Sequence, residues 1–266
     1  MSHPYRFDRA ISRRPGASVV KGLRAGGGPD PALEGVLAEH AAYVAALEAA
    51  GLAVTLLDPL ENFPDAIFVE DPALVFPDCA ILLNPGAVTR AGEGAFLRPT
   101  LAAMFDQVLD LPEGHADGGD VLAMGDAVYI GLSARTDRTG AEALARLLAG
   151  TGRKAVVAET PPSVLHLKTA SSIVDEETIL ATSELAASGV YDGYRVLVIP
   201  EGEEAGANVL RVNDVILAGN RFPRILDLLD GHGARVVTLQ NSEIEKIDAG
   251  FTCMSLRWLG VWSPSD

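Results

Sequence analysis

The sequence is poor in cysteine, in basic residues and in long apolar runs. Its two cysteines, Cys79 and Cys253, are too few for a disulfide framework or a cysteine zinc site. The 21 basic residues against 36 acidic residues give a net charge of −15, which argues against nucleic acid or an anionic membrane as partner. No apolar run reaches the roughly 18 residues of a membrane span. We therefore expect a soluble cytoplasmic protein with reduced thiols, although a single Cys79–Cys253 bridge stays open.

The chain is rich enough in apolar residues to bury a large core. Hydrophobic residues make up 48% of its 266 residues, and the length permits one large domain or two small ones. No linker rich in Pro, Gly and Ser divides the chain, so residues 1–266 are predicted to form a single domain. The acidic surface would suit a small cationic ligand, although solubility alone is the simpler explanation of the charge.

A unit of hairpin, helix and strand recurs along the chain. Hairpins are predicted to begin near residues 66, 119, 164 and 207, with a fifth strand start near 250, so the period is 43 to 53 residues. The fifth unit would be completed by the N-terminal strand "YRFDRAI", the helix over 31–51 and the strand "AVTLL" if the chain closed into a ring. Closure removes exposed sheet edges, which favours it. An open α/β sheet stays an alternative, because periodicity does not show closure.

Several of these units carry an ionisable residue near the start of a strand. Taken singly, each has a structural explanation: Cys253 as a small core residue, His166 as a satisfied core histidine, and the acidic residues as turn or surface groups. In a ring, however, equivalent positions point to one centre. A thiol, an imidazole and several carboxylates at that centre would suit nucleophilic attack on a cation. The carboxylates in question are Asp65, Glu70, Asp71, Asp117 and Asp120.

Six segments together resemble one enzyme family. "FPDAIFVEDP", "DGGDVL", "GLSARTDRTGAEAL", "VLHLKT", "GANVL" and "KIDAGFTCMSLRW" are similar, in this order, to motifs of the dimethylarginine dimethylaminohydrolases, which are guanidino-group-modifying enzymes. The resemblance covers nearly the whole chain. It implies an α/β fold, the five-bladed pseudo-fivefold α/β propeller (pentein) in a single domain. It also implies hydrolysis of Nω-methylated L-arginines to L-citrulline and dimethylamine or methylamine, without a metal or other cofactor.

The same resemblance implies roles for individual residues. Cys253 matches the nucleophile, His166 the general acid and base, and Asp117 the carboxylate that orients the histidine and faces the guanidinium. Some relatives have Glu in place of Asp117, so the shorter side chain puts its direct contact with substrate in doubt. The implied substrate-binding residues are Asp65 with the carbonyls of Leu23 and Ile247 for the α-amino group, Glu70 and Asp71 for the guanidinium, and Arg90 and Arg135 for the α-carboxylate.

Several alternatives remain open at the level of sequence. An arginine deiminase-like hydrolase would act on unmethylated arginine, and one methyl group changes binding by only roughly 1 to 3 kcal/mol. An amidinotransferase, or a propeller that binds arginine-like ligands without catalysis, would use the same cavity. A cysteine peptidase is less well suited to a cluster of carboxylates. The glycine-rich "LRAGGGPD" after Lys21 and Gly22 is a hypothetical lid, and a homodimer has no sequence signature.

Overall fold

The computed structural model describes residues 4–24 and 27–260, which form five three-stranded sheets. In every sheet the middle strand pairs antiparallel with one neighbour and parallel with the other. The strands are β1 (Arg9–Arg13), β2 (Ala53–Leu57), β3 (Ala73–Val75), β4 (Ala80–Leu82), β5 (Val108–Asp110), β6 (Val121–Met124), β7 (Ala127–Leu132), β8 (Lys154–Glu159), β9 (Ser171–Ile173), β10 (Thr178–Ala181), β11 (Arg195–Val198), β12 (Leu210–Val212), β13 (Val215–Gly219), β14 (Arg235–Leu239) and β15 (Ser255–Trp258).

One helix in each blade makes the crossover that a parallel pair of strands requires. The five α-helices of the described residues are α1 (Leu33–Ala49), α2 (Arg98–Met104), α3 (Arg138–Gly150), α4 (Ser183–Ala187) and α5 (Pro223–Leu229). Residues that favour helix N-termini stand at the starts of three helices. The Asp137 side chain accepts the Gly140 N–H at the start of α3, Pro99 is the second residue of α2, and Pro223 is the first residue of α5. Short 3-10 helices, including Gly118–Asp120 and Leu167–Thr169, lie in the loops that lead into the hairpins.

The ring is closed by the two ends of the chain. Strand β15 pairs antiparallel with β1, with Arg9 opposite Trp258 and Ser12 opposite Ser255, and β1 pairs in parallel with β2. The apolar middle strands β4, β10 and β13 are buried along their whole length, and their side chains form the core between the blades. The five-bladed α/β propeller is therefore confirmed, and the open sheet is excluded because the strands form five separate sheets.

Three predicted strands begin later than expected, and each displaced segment carries functional candidates; the strand expected from near 250 begins only at Ser255, after Cys253. Residues 66–72 and 164–170 were expected to be extended, but β3 begins only at Ala73 and β9 only at Ser171. In the first segment the Phe68 N–H bonds to the Asp65 carbonyl (2.9 Å), which is a turn. The apolar run 66–69 is buried within these turns, and burial without alternation does not distinguish a strand from a packed loop.

Two other expectations concern thiols and membranes. Cys79 and Cys253 are both buried and free, so the bridge left open by the sequence is not formed. Among residues 4–24 and 27–260, no helix is long and apolar enough to cross a bilayer.

Asn213 joins two blades, and its loss should destabilise the ring. This half-buried residue has a φ of 50° in the β12–β13 turn; its side chain accepts the Phe7 N–H (3.0 Å) and donates to the carbonyls of Phe7 and Ala50 (both 2.9 Å). We expect Asn213→Ala to lower the free energy of unfolding, measured with urea, by about 2–3 kcal/mol.

Two further variants separate the loss of hydrogen bonds from backbone strain. Asn213→Gly removes the same hydrogen bonds but tolerates the positive φ, so the difference between the glycine and alanine variants measures backbone strain. Asp214→Ala, at the exposed neighbouring position, should stay within about 0.5 kcal/mol of wild type. Wild-type stability in both Asn213 variants would show that these bonds contribute nothing to closure.

Candidate active site

A single cavity is lined by nine of the ten predicted catalytic and substrate-binding residues, the exception being Glu70; Asp120, the remaining carboxylate expected at the centre, also lies outside this lining. Phe68, Leu165, Asp248 and Ala249 complete its lining. The predicted residues that it brings together are Leu23, Asp65, Asp71, Arg90, Asp117, Arg135, His166, Ile247 and Cys253.

The candidate catalytic and substrate-binding side chains come from equivalent places in different blades. Asp71 lies just before β3, Asp117 before β6, His166 before β9 and Cys253 before β15. Each of these loops leads into the strand that pairs antiparallel with the middle strand of its blade, so the pseudo-symmetry of the ring directs the loops to the same centre. The chemistry-bearing residues are therefore found in the loops, and the strands hold these loops in place.

His166 and Asp117 form a buried pair. His166 Nε2 lies 3.0 Å from Asp117 Oδ2, while the Gly86 N–H donates to Asp117 Oδ1 (2.8 Å). Burial lowers the pKa of His166, but the hydrogen bond that His166 makes to Asp117 and the negative charges of Asp71 and Asp120 outweigh burial and raise that pKa to about 9. The imidazole is therefore protonated at neutral pH and can donate a proton.

The two glycines of "DGGD" allow the close approach of these groups. A Cβ at Gly119 would lie 2.8 Å from His166 Nδ1 and 2.9 Å from Asp71 Oδ1, and one at Gly118 would lie 2.0 Å from the Glu70 carbonyl oxygen. The Gly119 N–H instead donates to Asp71 Oδ1 (3.1 Å). A side chain at Gly119 would therefore collide with His166 and Asp71, and one at Gly118 would collide with the backbone of Glu70.

Cys253 is buried in a strongly acidic setting. Cys253 is 8% exposed. Asn208 Oδ1 accepts the N–H of the preceding residue, Thr252 (2.9 Å), and so holds the loop that carries Cys253. Burial, followed by the negative charges of Glu70 and Asp71, raises the pKa of the Cys253 thiol to about 12. The thiol is consequently protonated at neutral pH as long as no cation occupies the cavity.

Arg90 is tightly held by acidic side chains. It is 4% exposed and makes a two-point contact with Glu93, through Nε to Oε2 (2.7 Å) and Nη2 to Oε1 (2.8 Å). It also donates to Asp71 and to the Phe68 carbonyl (2.8 Å). Burial raises the pKa of Asp71, but Arg90 and then His166 lower it below its ordinary value overall. Since most Arg90 donors are occupied, its contact with the α-carboxylate of a substrate stays a prediction.

The predicted α-amino site is built around Asp65. The Leu23 N–H donates to Asp65 Oδ1 (2.8 Å), which leaves Oδ2 for a ligand, and burial raises the pKa of this carboxyl. Arg135 and Leu23 are half-buried in the same lining. The hypothetical lid continues from Leu23, but residues 25 and 26 lie outside the described residues, so the lid stays a prediction.

Glu70 differs from the other candidates. Its carboxylate accepts from Lys168 Nζ (2.6 Å), Thr252 Oγ1 (2.8 Å) and Arg257 Nη2 (3.1 Å), and it lines a second cavity that shares no residue with the first. This geometry gives no support to a contact between Glu70 and the guanidinium of a substrate, so that contact stays a prediction.

Donor atoms for a metal ion are limited to one cluster in the described residues. One ligand atom each of Asp71, Asp117 and His166 lies within 4.8 Å of the others. His166 Nε2 already bonds to Asp117, and Asp71 to Arg90 and Gly119. These atoms therefore serve as hydrogen-bond partners, and the prediction that no metal is needed stays a prediction.

Sequence reasoning missed how the site is supported. Asp120, expected either in a turn or among the central carboxylates, lies outside the cavity lining and accepts from the Leu167 N–H (2.9 Å) and from Ser133 (2.6 Å) and Thr136 (2.7 Å), so it anchors the loop that carries His166. Glu93 lies only three residues after Arg90, but the two residues belong to separate 3-10 helices with Gly92 at a φ of 82° between them, so helical spacing does not predict this contact. Tertiary pairs such as Glu70 with Arg257 leave no sequence signal.

Comparison with known proteins gives consistent results. The family model described as arginine deiminase matches residues 95–196. The dimethylarginine dimethylaminohydrolase of Pseudomonas aeruginosa is 35% identical over 254 residues, which is 95% of this chain and 100% of the relative. The enzyme of the same name from Streptomyces coelicolor is 33% identical over 258 residues, covering 94% of this chain and 96% of the relative.

Solved structures agree on the fold. A cysteine-to-serine variant of the Pseudomonas aeruginosa enzyme, complexed with citrulline, superposes with a TM-score of 0.92 at 35% identity, over 95% of this chain and 100% of that one. The N-terminal domain of the cyanobacterial arginine dihydrolase ArgZ, bound to product, has a TM-score of 0.84 over 95% of this chain and 99% of that one. At 17% identity, the second likeness shows the fold alone.

The His166–Asp117 pair leads to a test by NMR. Asp117→Asn removes the negative charge and leaves only a neutral amide oxygen as acceptor, so the His166 ring should titrate well below 9 and closer to the ordinary value of about 6.5. The signal is assigned by its absence in His166→Asn. An unchanged titration in Asp117→Asn would refute the electrostatic role of Asp117.

The same pair has a consequence for stability. Because the folded-state pKa of His166 lies above the unfolded value, its contribution is complete below pH of about 6.5 and is lost as the pH rises through about 9. Across that window wild type should lose more stability than Asp117→Asn.

Proposed function

The chain belongs to the dimethylarginine dimethylaminohydrolase family, and we propose on that premise that Cys253, His166 and Asp117 carry its reaction. The protein is a hydrolase that acts on a guanidino C–N bond, releasing L-citrulline and dimethylamine or methylamine from Nω-methylated L-arginines. The observation that carries the assignment of residues is the shared cavity, in which a buried thiol, a histidine–carboxylate pair and further carboxylates meet.

The charges of the cavity suit a cationic amino acid. Asp71, held anionic by Arg90, is proposed to bind the guanidinium close to Cys253. Asp65 and the carbonyls of Leu23 and Ile247 accept hydrogen bonds from the α-ammonium group. Arg135 and Arg90 bind the α-carboxylate. The substrate is thus a single small amino acid; a homodimer stays a prediction.

Binding of the substrate itself activates the nucleophile in this proposal. The pKa of the empty-site thiol, about 12, reflects burial among negative charges. A guanidinium placed beside the sulfur offsets those charges and lowers the thiol pKa, because a nearby cation favours the thiolate. The proton is released to solvent, since His166, with a pKa of about 9, is already protonated at neutral pH. This favours activation by the bound cation over a preformed thiolate–imidazolium pair.

The thiolate then attacks the central guanidinium carbon. The S–C bond forms, a tetrahedral intermediate results, and its C–N bond breaks as His166 Nδ1, the ring nitrogen not bonded to Asp117, donates a proton to the departing amine. A covalent thiouronium remains on Cys253. Water attacks the same carbon next: one of its protons goes to His166 and another leaves to solvent, the C–S bond breaks, and the thiolate and L-citrulline are released.

Two other activities share most of this chemistry. An arginine deiminase would use the same thiol and histidine but would release ammonia from unmethylated arginine, and part of the chain matches the arginine deiminase family model. A protein that binds arginine-like ligands without turnover would keep the carboxylates and need neither Cys253 nor His166. The identity of the released amine distinguishes these cases.

Turnover by the purified protein is the first test. Incubated with dimethylarginine, monomethylarginine and arginine in turn, wild type should produce citrulline together with dimethylamine or methylamine, and Cys253→Ser should be slower by about a thousandfold or more. Citrulline with ammonia from arginine alone would assign the protein to the deiminases. Saturable binding of all three without citrulline would leave a binding protein.

Activation by the bound cation is tested with a matched pair of alkylating reagents. Chloroacetamidine carries a cationic amidinium, whereas chloroacetamide is neutral and nearly isosteric. We expect the inactivation rate with chloroacetamidine to rise with pH through a pKa lower by about 2 units or more than that seen with chloroacetamide. Equal apparent pKa values for the two reagents would contradict activation by the substrate's charge.

A further inference from the structure

We propose that Glu70 is a positioning residue, whose carboxylate holds the segment bearing Cys253 and the segment bearing His166 in register from outside the substrate cavity. The inference deepens the proposed function and rests on it, because it assumes that these two segments carry the reacting groups. It differs from the role implied by sequence resemblance, in which Glu70 contacts the guanidinium.

The carboxylate lies in a buried cluster of four side chains, which we call the Glu70 cluster: Glu70, Lys168, Thr252 and Arg257. Glu70 Oε1 accepts from Lys168 Nζ (2.6 Å) and Arg257 Nη2 (3.1 Å), and Oε2 accepts from Thr252 Oγ1 (2.8 Å). The Glu70 and Lys168 side chains are 5% and 10% exposed. A buried carboxylate with three charge-assisted or hydroxyl donors is held in one geometry, since any displacement leaves a charge unpaired.

The partners of Glu70 lie next to the reacting residues along the chain. Thr252 directly precedes Cys253, and the Glu70 N–H donates to the Cys253 carbonyl (3.2 Å). Lys168 lies two residues after His166, in the 3-10 helix Leu167–Thr169. One carboxylate therefore bonds to both catalytic segments, which belong to different blades.

A further bond reinforces this bridge. Asn208 donates to the Lys168 carbonyl (2.8 Å) and to Thr252 Oγ1 (3.1 Å), so it spans the same two segments as Glu70. Two side chains, Glu70 and Asn208, thus connect the two segments, and of these two only Glu70 carries a charge.

The whole cluster lies away from the substrate cavity. Glu70, Lys168, Thr252 and Arg257 line the second cavity, and none of them lines the cavity of Cys253 and His166. The neighbouring Asp71 does line the substrate cavity. Two consecutive acidic residues are therefore divided between substrate binding and positioning.

The cluster also sets the charge behind the thiol. Glu70 raises the pKa of Cys253 and Lys168 lowers it. The other ionisable groups that share the cavity with the thiol are Asp65, Asp71, Arg90, Asp117, Arg135, His166 and Asp248. Neutralising either member of the Glu70–Lys168 pair should change the reactivity of Cys253, in opposite directions for the two members.

Alkylation of Cys253 by iodoacetamide at pH of about 8.5, followed by mass spectrometry, measures this effect without any turnover. Glu70→Gln, which keeps the shape and removes the charge, should alkylate about tenfold faster than wild type, and Lys168→Met about tenfold slower. Glu34→Gln, the same change at an exposed position of α1, should match wild type. If Glu70→Gln does not fold, the slower reaction of Lys168→Met carries the test, and an unchanged rate in Lys168→Met would then overturn the proposal.

Binding and turnover separate positioning from substrate contact. In the Cys253→Ser background, adding Glu70→Gln should change the Kd for dimethylarginine by less than about threefold, whereas adding Asp71→Asn should weaken it by at least about tenfold. With Cys253 intact, Glu70→Gln should lower kcat by about tenfold to a hundredfold with KM little changed, because the reacting groups lose their alignment.

The outcomes are distinct. Weakened binding in Glu70→Gln with an unchanged alkylation rate would overturn the proposal and return Glu70 to the guanidinium site. Full kcat in Glu70→Gln would overturn it as well. If wild type releases no citrulline from any substrate while the alkylation rates shift in opposite directions, the proposed function fails, but the coupling of Glu70 to Cys253 stands.

Discussion

The antiparallel pairing of β15 with β1 closes five blades into a ring with one centre. Each loop that bears a candidate catalytic residue leads into a strand that pairs antiparallel with the middle strand of its blade, and for β15 that middle strand is β1. The pairing of β15 with β1 therefore holds the segment of Cys253 in the ring with the blades of His166 and Asp117. The catalytic geometry is thus a consequence of the repeat, since no single blade contains more than part of the site.

A second constraint is the excess of buried negative charge around the centre. Asp65, Asp71 and Asp117 lie within one cavity, and two of its cationic groups, Arg90 and His166, are bonded to acidic side chains there. Such a site holds its thiol protonated and its imidazole charged. The resting thiol should therefore react slowly with neutral electrophiles, and in the proposed mechanism its reactivity rises when a cation binds. Recognition and activation become one event.

Much of this arrangement can be predicted from sequence, for identifiable reasons. The turn dipeptide at Asn213 and the helix-forming run before Gly150 have strong local signals, and their regular recurrence indicates the ring. Resemblance to a family points to Cys253, His166 and Asp117, all of which lie in one cavity. The strand expected over 66–72 was wrong because a packed loop and a strand bury apolar residues alike.

The pairings of charged side chains could not be predicted. Whether Glu70 points to a ligand or to Lys168 depends on the rotation of one side chain in a loop, and adjacent Asp71 takes the opposite direction. Glu93, which accepts from Arg90, is close to it in sequence. Asp71 and the Phe68 carbonyl, which accept from the remaining Arg90 donors, are distant in sequence. Sequence indicates which residue types are present at the centre, and the fold decides which of them remain available.

The blade that contains β1, β2 and β15 combines residues from near both ends of the described chain. Its closing contacts, such as Arg9 with Trp258, have the largest sequence separation of any strand pairing in this part of the molecule. Contacts of that kind carry a larger loop-closure entropy than the hairpin contacts within a blade. Until β15 pairs with β1, the segment that bears Cys253 has no fixed place beside the blades that bear His166 and Asp117. The proposed catalytic set therefore exists only in the closed ring, and a chain that leaves its two ends unpaired lacks that set.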